Sequence, residues 1–191
     1  MTSRNKSIIL VLSAALLAGA GVWLWRANSD GATLSQLRLT SLFGGSEKNK
    51  LQQVSTNFKE YYNSDLGFSF QYPEGFLQTE FEDENGTVIL FEASGRGFQI
   101  FVSPFDESGP LTAERIKKDL PNLVMENPTL TKVAGEDSLS FIGSGGEFKT
   151  AEVWFVWPPE PYPNGNYFYQ ITSSAEFDEE LSKIMATWKF Q

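Results

Sequence analysis

The chain has 191 residues, a formal net charge of −9, and neither cysteine nor histidine. These absences exclude disulfides, a lipid-modified cysteine anchor, thiolate or imidazole metal sites, and catalytic sets built on Cys or His. Residues 59–191 carry nine Lys and Arg against twenty-two Asp and Glu, so this part lacks the clustered basic side chains on which nucleic-acid binding depends, and no nucleic-acid partner is expected.

An apolar segment near the N-terminus predicts a membrane anchor. Residues 8–25 (IILVLSAALLAGAGVWLW) contain no charge, and as a helix they would be about 27 Å long, enough to cross a bilayer core. Arg4 and Lys6 precede the segment, and Trp23 and Trp25 lie near its end. This arrangement predicts a cytoplasmic N-terminus (1–7), a transmembrane helix or signal anchor (8–25), and a single-pass cell-membrane protein with its C-terminal domain outside the cytoplasm.

A cleaved signal peptide is the alternative, because Ala18-Gly19-Ala20 supplies an A-x-A cleavage pattern. The apolar run continues through this pattern, which favours an uncleaved anchor. The remainder of the chain is exported in either case. Residues 26–58 are mostly small and polar, which is typical of a linker.

From residue 59 the sequence predicts short strands separated by turns. Residues 61–62 and 68–72 form a first hairpin that ends at Pro73, and residues 77–82, 87–93 and 98–103 form an antiparallel meander. The Asn85-Gly86 pair between two of these strands is the pair that type I′ hairpin turns prefer.

Two helices and three further strands complete the predicted domain. A helix begins at Thr112, with Leu111 and Ile116 as a hydrophobic staple, and ends at Pro121. Strands follow at 138–142, 148–157 and 167–172, and Ser173 and Glu176 predict a capping box for the final helix. The pattern indicates one α+β domain with an antiparallel sheet covered by helices.

Residues 61–76 (YYNSDLGFSFQYPEGF) and the closing segment 184–190 (IMATWKF) resemble the beginning and end of PsbP-like domains. The resemblance covers residues 59–191. It implies an α/β/α sandwich with a mostly antiparallel central sheet, preceded here by the predicted anchor, as in bacterial PsbP-like proteins. It also implies an extrinsic or docking role rather than an enzymatic one, with no cofactor. Metal sites of photosystem members rely on histidines, so the resemblance transfers no metal residue to this chain.

A proline-rich loop supplies the predicted contact residues. Residues 157–166 (WPPEPYPNGN) contain four prolines, and a stiff loop presents side chains at low entropic cost. Trp157, Tyr162 and Tyr167 are therefore the predicted contacts with a protein partner in the membrane or cell envelope. The alternative is a hairpin connection in which Trp157 and Tyr162 cover the sheet edge.

The sequence leaves two other functions open. Asp83, Glu84 and Asp106 could form a divalent-metal module for calcium or manganese, since both ions prefer oxygen ligands. A carboxylate-based hydrolase acting on cell-wall glycans would need two acids in one cleft. No catalytic residue is predicted, and the chain is expected not to be an enzyme.

Overall fold

The computed structural model describes residues 57–83, 85–105, 110–144, 148–158 and 166–191. The predicted N-terminus, the segment 8–25 and nearly all of the linker lie outside these residues. Within the described ranges, no helix has the length and apolar character needed to cross a membrane.

The described part of the chain forms ten strands, two α-helices and one short 3₁₀-helix. The strands are β1 Phe58–Asn63, β2 Phe68–Pro73, β3 Leu77–Asp83, β4 Gly86–Ala93, β5 Arg96–Phe105, β6 Val124–Val133, β7 Glu136–Ser144, β8 Thr150–Trp157, β9 Asn166–Ser174 and β10 Lys189–Phe190. The helices are α1 Ala113–Asp119 and α2 Asp178–Met185, and the 3₁₀-helix Ala175–Phe177 directly precedes α2.

The strands form two sheets. The larger sheet has seven strands in the order β3-β4-β5-β9-β8-β7-β6, and the smaller has three in the order β1-β2-β10. Every pairing among the described strands is antiparallel. The predicted antiparallel meander is therefore confirmed as β3-β4-β5, and the predicted first hairpin as β1-β2.

Both faces of the larger sheet are buried. Along β8, Val153 and Phe155 belong to one core cluster and Trp154 and Val156 to another, because successive side chains of a strand point to opposite faces. The first cluster lies under the smaller sheet and α2. Its side chains from these elements and from the segment between α2 and β10 include Tyr61, Phe68, Phe70, Leu181, Ile184 and Trp188. We call this the aromatic core.

The second cluster is covered by α1. Leu111, Ile116 and Leu120 are buried there with Trp154 and Phe168. The helix begins as predicted, since Thr112 is its N-cap and its Oγ1 accepts a hydrogen bond from the Arg115 amide at 3.2 Å. The structure is thus mostly antiparallel sheet with few helices; α1 lies on one face, and the other face carries α2 together with a second sheet.

Two predicted turn and cap assignments were wrong. Asp83 pairs with Gly86, so the connection consists of residues 84 and 85 and not of the Asn85-Gly86 pair. Gly86 is the first residue of β4, where an added Cβ would be 2.1 Å from the carbonyl oxygen of Val102. Ser173 lies within β9 and pairs with Phe98 and Ala151, so it cannot cap the final helix.

One strand was missed. β6 is an edge strand whose side chains are mostly exposed, and its register shifts between Glu126 and Thr129 around Pro128. Proline removes a ladder donor and is confined to edges and bulges, so the sequence around it has no clear strand pattern. The predicted strand 148–157 begins at Thr150 instead of Phe148.

Candidate functional site

The structure brings two of the three predicted contact residues together. Trp157 is the last residue of β8, Tyr167 lies near the start of β9, and the two are directly paired. Both are half-buried against the aromatic core. Tyr162 lies outside the described residues.

Trp157 is held by the C-terminal strand. Its ring stacks on Phe190 with 4.4 Å between ring centroids and 2° between ring planes. Gly67 lies beside the indole, since a Cβ at that position would be 3.4 Å from Cη2 of Trp157. Leu66, Trp157, Tyr167 and Phe190 thus form a half-exposed apolar surface at one end of the molecule, which we call the aromatic rim.

The turn beneath the rim is fixed by side-chain hydrogen bonds. Asn63 Oδ1 accepts from the amides of Asp65 at 3.1 Å and Leu66 at 2.9 Å. The Tyr169 hydroxyl donates to the Leu66 carbonyl at 3.2 Å. Burial raises the pKa of this tyrosine, so the hydroxyl keeps its proton and remains a donor. The sequence predicts these residues only as a turn, and no local pattern links them to Trp157.

Glu152 is a buried acid that sequence reasoning did not single out. Its Oε2 accepts hydrogen bonds from Thr172 Oγ1 at 2.7 Å and Trp154 Nε1 at 2.8 Å. Burial raises the pKa of this carboxyl, and the hydrogen bonds that it accepts oppose the rise only in part. Glu152 is the only acid that is buried in the part of the chain that the structure describes. The hypothesis of a carboxylate-based hydrolase stays a prediction.

A polar groove runs along β1, where it meets the edge of β3. It is an open cavity of about 440 Å³, and its lining includes Glu60, Tyr62, Asp65, Gln78 and Glu80. In its wall, the Tyr61 hydroxyl donates to Glu80 Oε2 at 3.0 Å, and Asn63 Nδ2 donates to the Tyr61 oxygen at 3.0 Å. Burial is the main cause that raises the pKa of Tyr61, and the Glu80 carboxylate adds to it.

The divalent-metal hypothesis stays a prediction. Glu84, Asp106 and the side chain of Asp83 lie outside the described part of the chain. Among the residues that are described, no three acidic side chains come together in a way that could hold a metal ion.

No protein-family model and no curated protein matches the chain. Among solved structures, the chain is similar to cyanobacterial PsbP (CyanoP) from Synechocystis sp. PCC 6803, with 10% identity over 76% of this chain and 98% of that one, and a TM-score of 0.44. It is also similar to LpqN, involved in cell envelope biogenesis of Mycobacterium tuberculosis, with 12% identity over 71% and 91% of the two chains and a TM-score of 0.43.

A third similar structure, from Bacteroides thetaiotaomicron, shares 17% identity over 70% of this chain and 48% of that one, with a TM-score of 0.39. A PsbP protein is thus among the structural neighbours of a chain whose sequence resembles PsbP-like domains.

Proposed function

We propose that this chain is a non-enzymatic binding domain, tethered to the outer face of the cell membrane by residues 8–25, which docks on a protein of the membrane or cell envelope through its aromatic rim. The observation that carries the proposal is the rim itself. Trp157 stacks on Phe190 and is paired with Tyr167, all three are half-buried, and Trp157 and Tyr167 flank the proline-rich segment 158–165 in the sequence.

The rim has the properties of an interface anchor. Tryptophan and tyrosine contribute a large contact area with few rotatable bonds and dominate the binding energy of many interfaces. The Trp157 ring is already fixed by Phe190 and by the Gly67 turn. When a partner covers the remaining exposed surface of Trp157, the loss of side-chain entropy of this tryptophan is therefore small.

Because the domain is tethered to the membrane, one binding surface of moderate affinity is sufficient for stable association with a membrane partner. Anchoring a domain beside its partner replaces free diffusion with a high effective concentration, so that weak contacts produce stable association. The charge of the domain supports a protein partner, because twenty-two acids against nine basic residues in 59–191 disfavour contact with anionic headgroups.

Site-specific photo-crosslinking in intact membranes tests the proposal. A photoreactive phenylalanine analogue at Tyr167 should give one discrete protein adduct, which disappears when Trp157→Ala is added. Phe148 is the matched control, because it is an exposed aromatic residue near the opposite end of β8, about 23 Å of strand away.

The analogue at position 148 should give no such adduct. Thermal unfolding of the Trp157→Ala chain verifies that its domain remains folded. Equal adducts from positions 167 and 148, or none from 167, would contradict the proposed use of the rim.

The anchor is tested separately. The full chain should stay with membranes after alkaline extraction. Protease added to intact spheroplasts should digest its C-terminal domain. Recovery of a soluble form that begins near residue 21 would show instead that the segment is a cleaved signal peptide.

A further inference from the structure

The free edge of β1 is the second surface that could bind a partner. In the smaller sheet, β2 lies between β1 and β10, so β1 has a paired neighbour on one side only among the described strands. An unpaired strand edge exposes a row of backbone donors and acceptors that another chain can pair with.

The register identifies which residues present these groups. The Glu74 amide donates to the Asn57 carbonyl at 2.8 Å, so residues 57 and 74 are a hydrogen-bonded pair. Hydrogen-bonded and non-hydrogen-bonded pairs alternate along an antiparallel ladder. Glu60 and Tyr62, which face Gln71 and Ser69, therefore direct their backbone N–H and C=O groups away from β2 and towards the free edge.

This edge opens into the polar groove. Glu60 and Tyr62 line the cavity of about 440 Å³, and side chains of β3 form its other side. Gln78 and Glu80 are exposed there. The cavity thus offers an extended segment both backbone partners on one side and side-chain contacts on the other.

The charge of the groove selects the occupant. Glu60, Asp65 and Glu80 line it, and none of its lining residues is Lys or Arg. Tyr62 is 55% exposed and could cover the aliphatic part of a lysine or arginine side chain, or interact with its charge through the ring face.

We propose that an extended, Lys- or Arg-rich segment of a partner protein pairs with β1 in this groove and adds a fourth strand to the smaller sheet. Backbone hydrogen bonds to Glu60 and Tyr62 supply affinity, and the carboxylates of Glu60, Asp65 and Glu80 supply preference for basic side chains. This surface shares no residue with the aromatic rim, although both adjoin the turn that contains Asp65 and Leu66, and the proposal does not depend on the rim.

Binding of a synthetic peptide to the purified full chain in detergent tests the proposal. A fluorescent peptide of alternating Lys and Thr should bind, more weakly as salt increases, and the matching Glu and Thr peptide should not. Tyr62→Pro removes one N–H that faces the free edge. It should weaken binding about tenfold, because one backbone hydrogen bond to the peptide is lost and the adjacent ones are disturbed. Tyr62→Ala, the matched control, should weaken it less.

A second measurement leaves the protein unchanged. Two versions of the Lys and Thr peptide carry backbone N-methyl groups at alternate residues, one at the odd and the other at the even positions. One version therefore loses the amides that face β1 and the other loses those that face away from it. The version without the amides that face β1 should lose most of its affinity. Double substitution of Glu60→Gln with Asp65→Asn should weaken the unmodified peptide several-fold.

No binding of the basic peptide, or binding that is indifferent both to Tyr62→Pro and to either pattern of methylation, would overturn the proposal. Tyr167→Ala, in the rim, should leave peptide binding unchanged. The experiments thereby distinguish a negative result for peptide binding in the groove from a negative result for partner binding at the rim.

Discussion

The indole N–H of Trp154 donates a hydrogen bond of 2.8 Å to the carboxyl group of Glu152, two residues before it on the same face of β8. The same carboxyl oxygen accepts from Thr172 on the neighbouring strand. The pair joins the apolar cluster under α1 to a buried polar row formed by Gln99, Glu152 and Gln170. Removing the carboxyl would leave the buried indole N–H of Trp154 and the half-buried hydroxyl of Thr172 without their acceptor, and a buried donor without an acceptor is costly.

The first prediction concerns the pH dependence of folding. Burial raises the pKa of Glu152 above the ordinary value of 4.5. As the pH rises, the unfolded state therefore loses this proton at a lower pH than the folded state does. Stability from this group is fully present below pH 4.5 and is lost as the pH rises towards the raised folded value. Glu152→Gln abolishes this loss, so its unfolding free energy should improve relative to wild type as the pH rises through that window.

Denaturant unfolding of both proteins at a series of pH values measures this difference. Gln78→Asn is the control, because Gln78 is exposed on β3 and neither side chain titrates, so its difference from wild type should be nearly constant with pH. A constant difference for Glu152→Gln as well would contradict the assignment of a raised pKa to this carboxyl.

The direction of the Glu152 side chain could not be predicted from the sequence. The run TAEVWFVW is almost continuously apolar because both faces of the sheet are buried, so no alternation indicates where its acid points. In contrast, β3, β4 and β5 were predictable because turns separate them. The start of α1 was predictable too, because a cap and a staple are local signals.

The aromatic rim was predicted only in part for a related reason. Trp157 and Tyr167 flank one loop and were singled out together, but Phe190, which stacks on Trp157, is far from both in the sequence. No local pattern connects residues that meet only through sheet order. The groove was missed for the same reason, since β1 and β3 belong to different sheets.

The second prediction concerns the aromatic core. Trp188 stacks on Phe68 with 4.4 Å between centroids, and both are nearly fully buried. Trp188→Ala should lower the unfolding free energy by about 3–5 kcal/mol, because the transfer and cavity terms add. Leu77→Ala, at a side chain that is 71% exposed, should change it far less.

Trp188→Phe separates the ring from its polar atom. The buried indole N–H of Trp188 has no hydrogen-bond partner among the described residues, so phenylalanine keeps aromatic packing and removes an unpaired donor. Urea unfolding should place this variant much closer to wild type than to Trp188→Ala. Equal losses for the two variants would show that the size of the indole matters more than aromatic packing.

The third prediction concerns the start of α1. The Thr112 hydroxyl accepts from the Arg115 amide, and loss of such a cap typically costs about 1 kcal/mol. Thr112→Ala should therefore destabilise the domain by that amount in thermal or urea unfolding, whereas Thr112→Ser should keep the cap and most of the stability. An equal loss in both variants would assign the effect to the methyl group of Thr112.

The fourth prediction concerns the edge strand β6. Pro128 lies in the register shift of this strand, next to Asn127, whose φ is +52°. Val124 and Leu130 are exposed on the same strand. Irregularity and proline are devices that prevent edge strands from pairing with a second copy. Pro128→Thr should therefore make the edge more regular and promote self-association.

Light scattering on the full chain in detergent, over a range of protein concentrations, measures this effect. The average mass of the Pro128→Thr protein should rise with concentration, while the wild-type mass stays constant. Pro121→Thr is the matched control, because Pro121 is exposed and lies outside the strands. A constant mass for Pro128→Thr would show that the exposed side chains of β6, and not its proline, keep the edge apart.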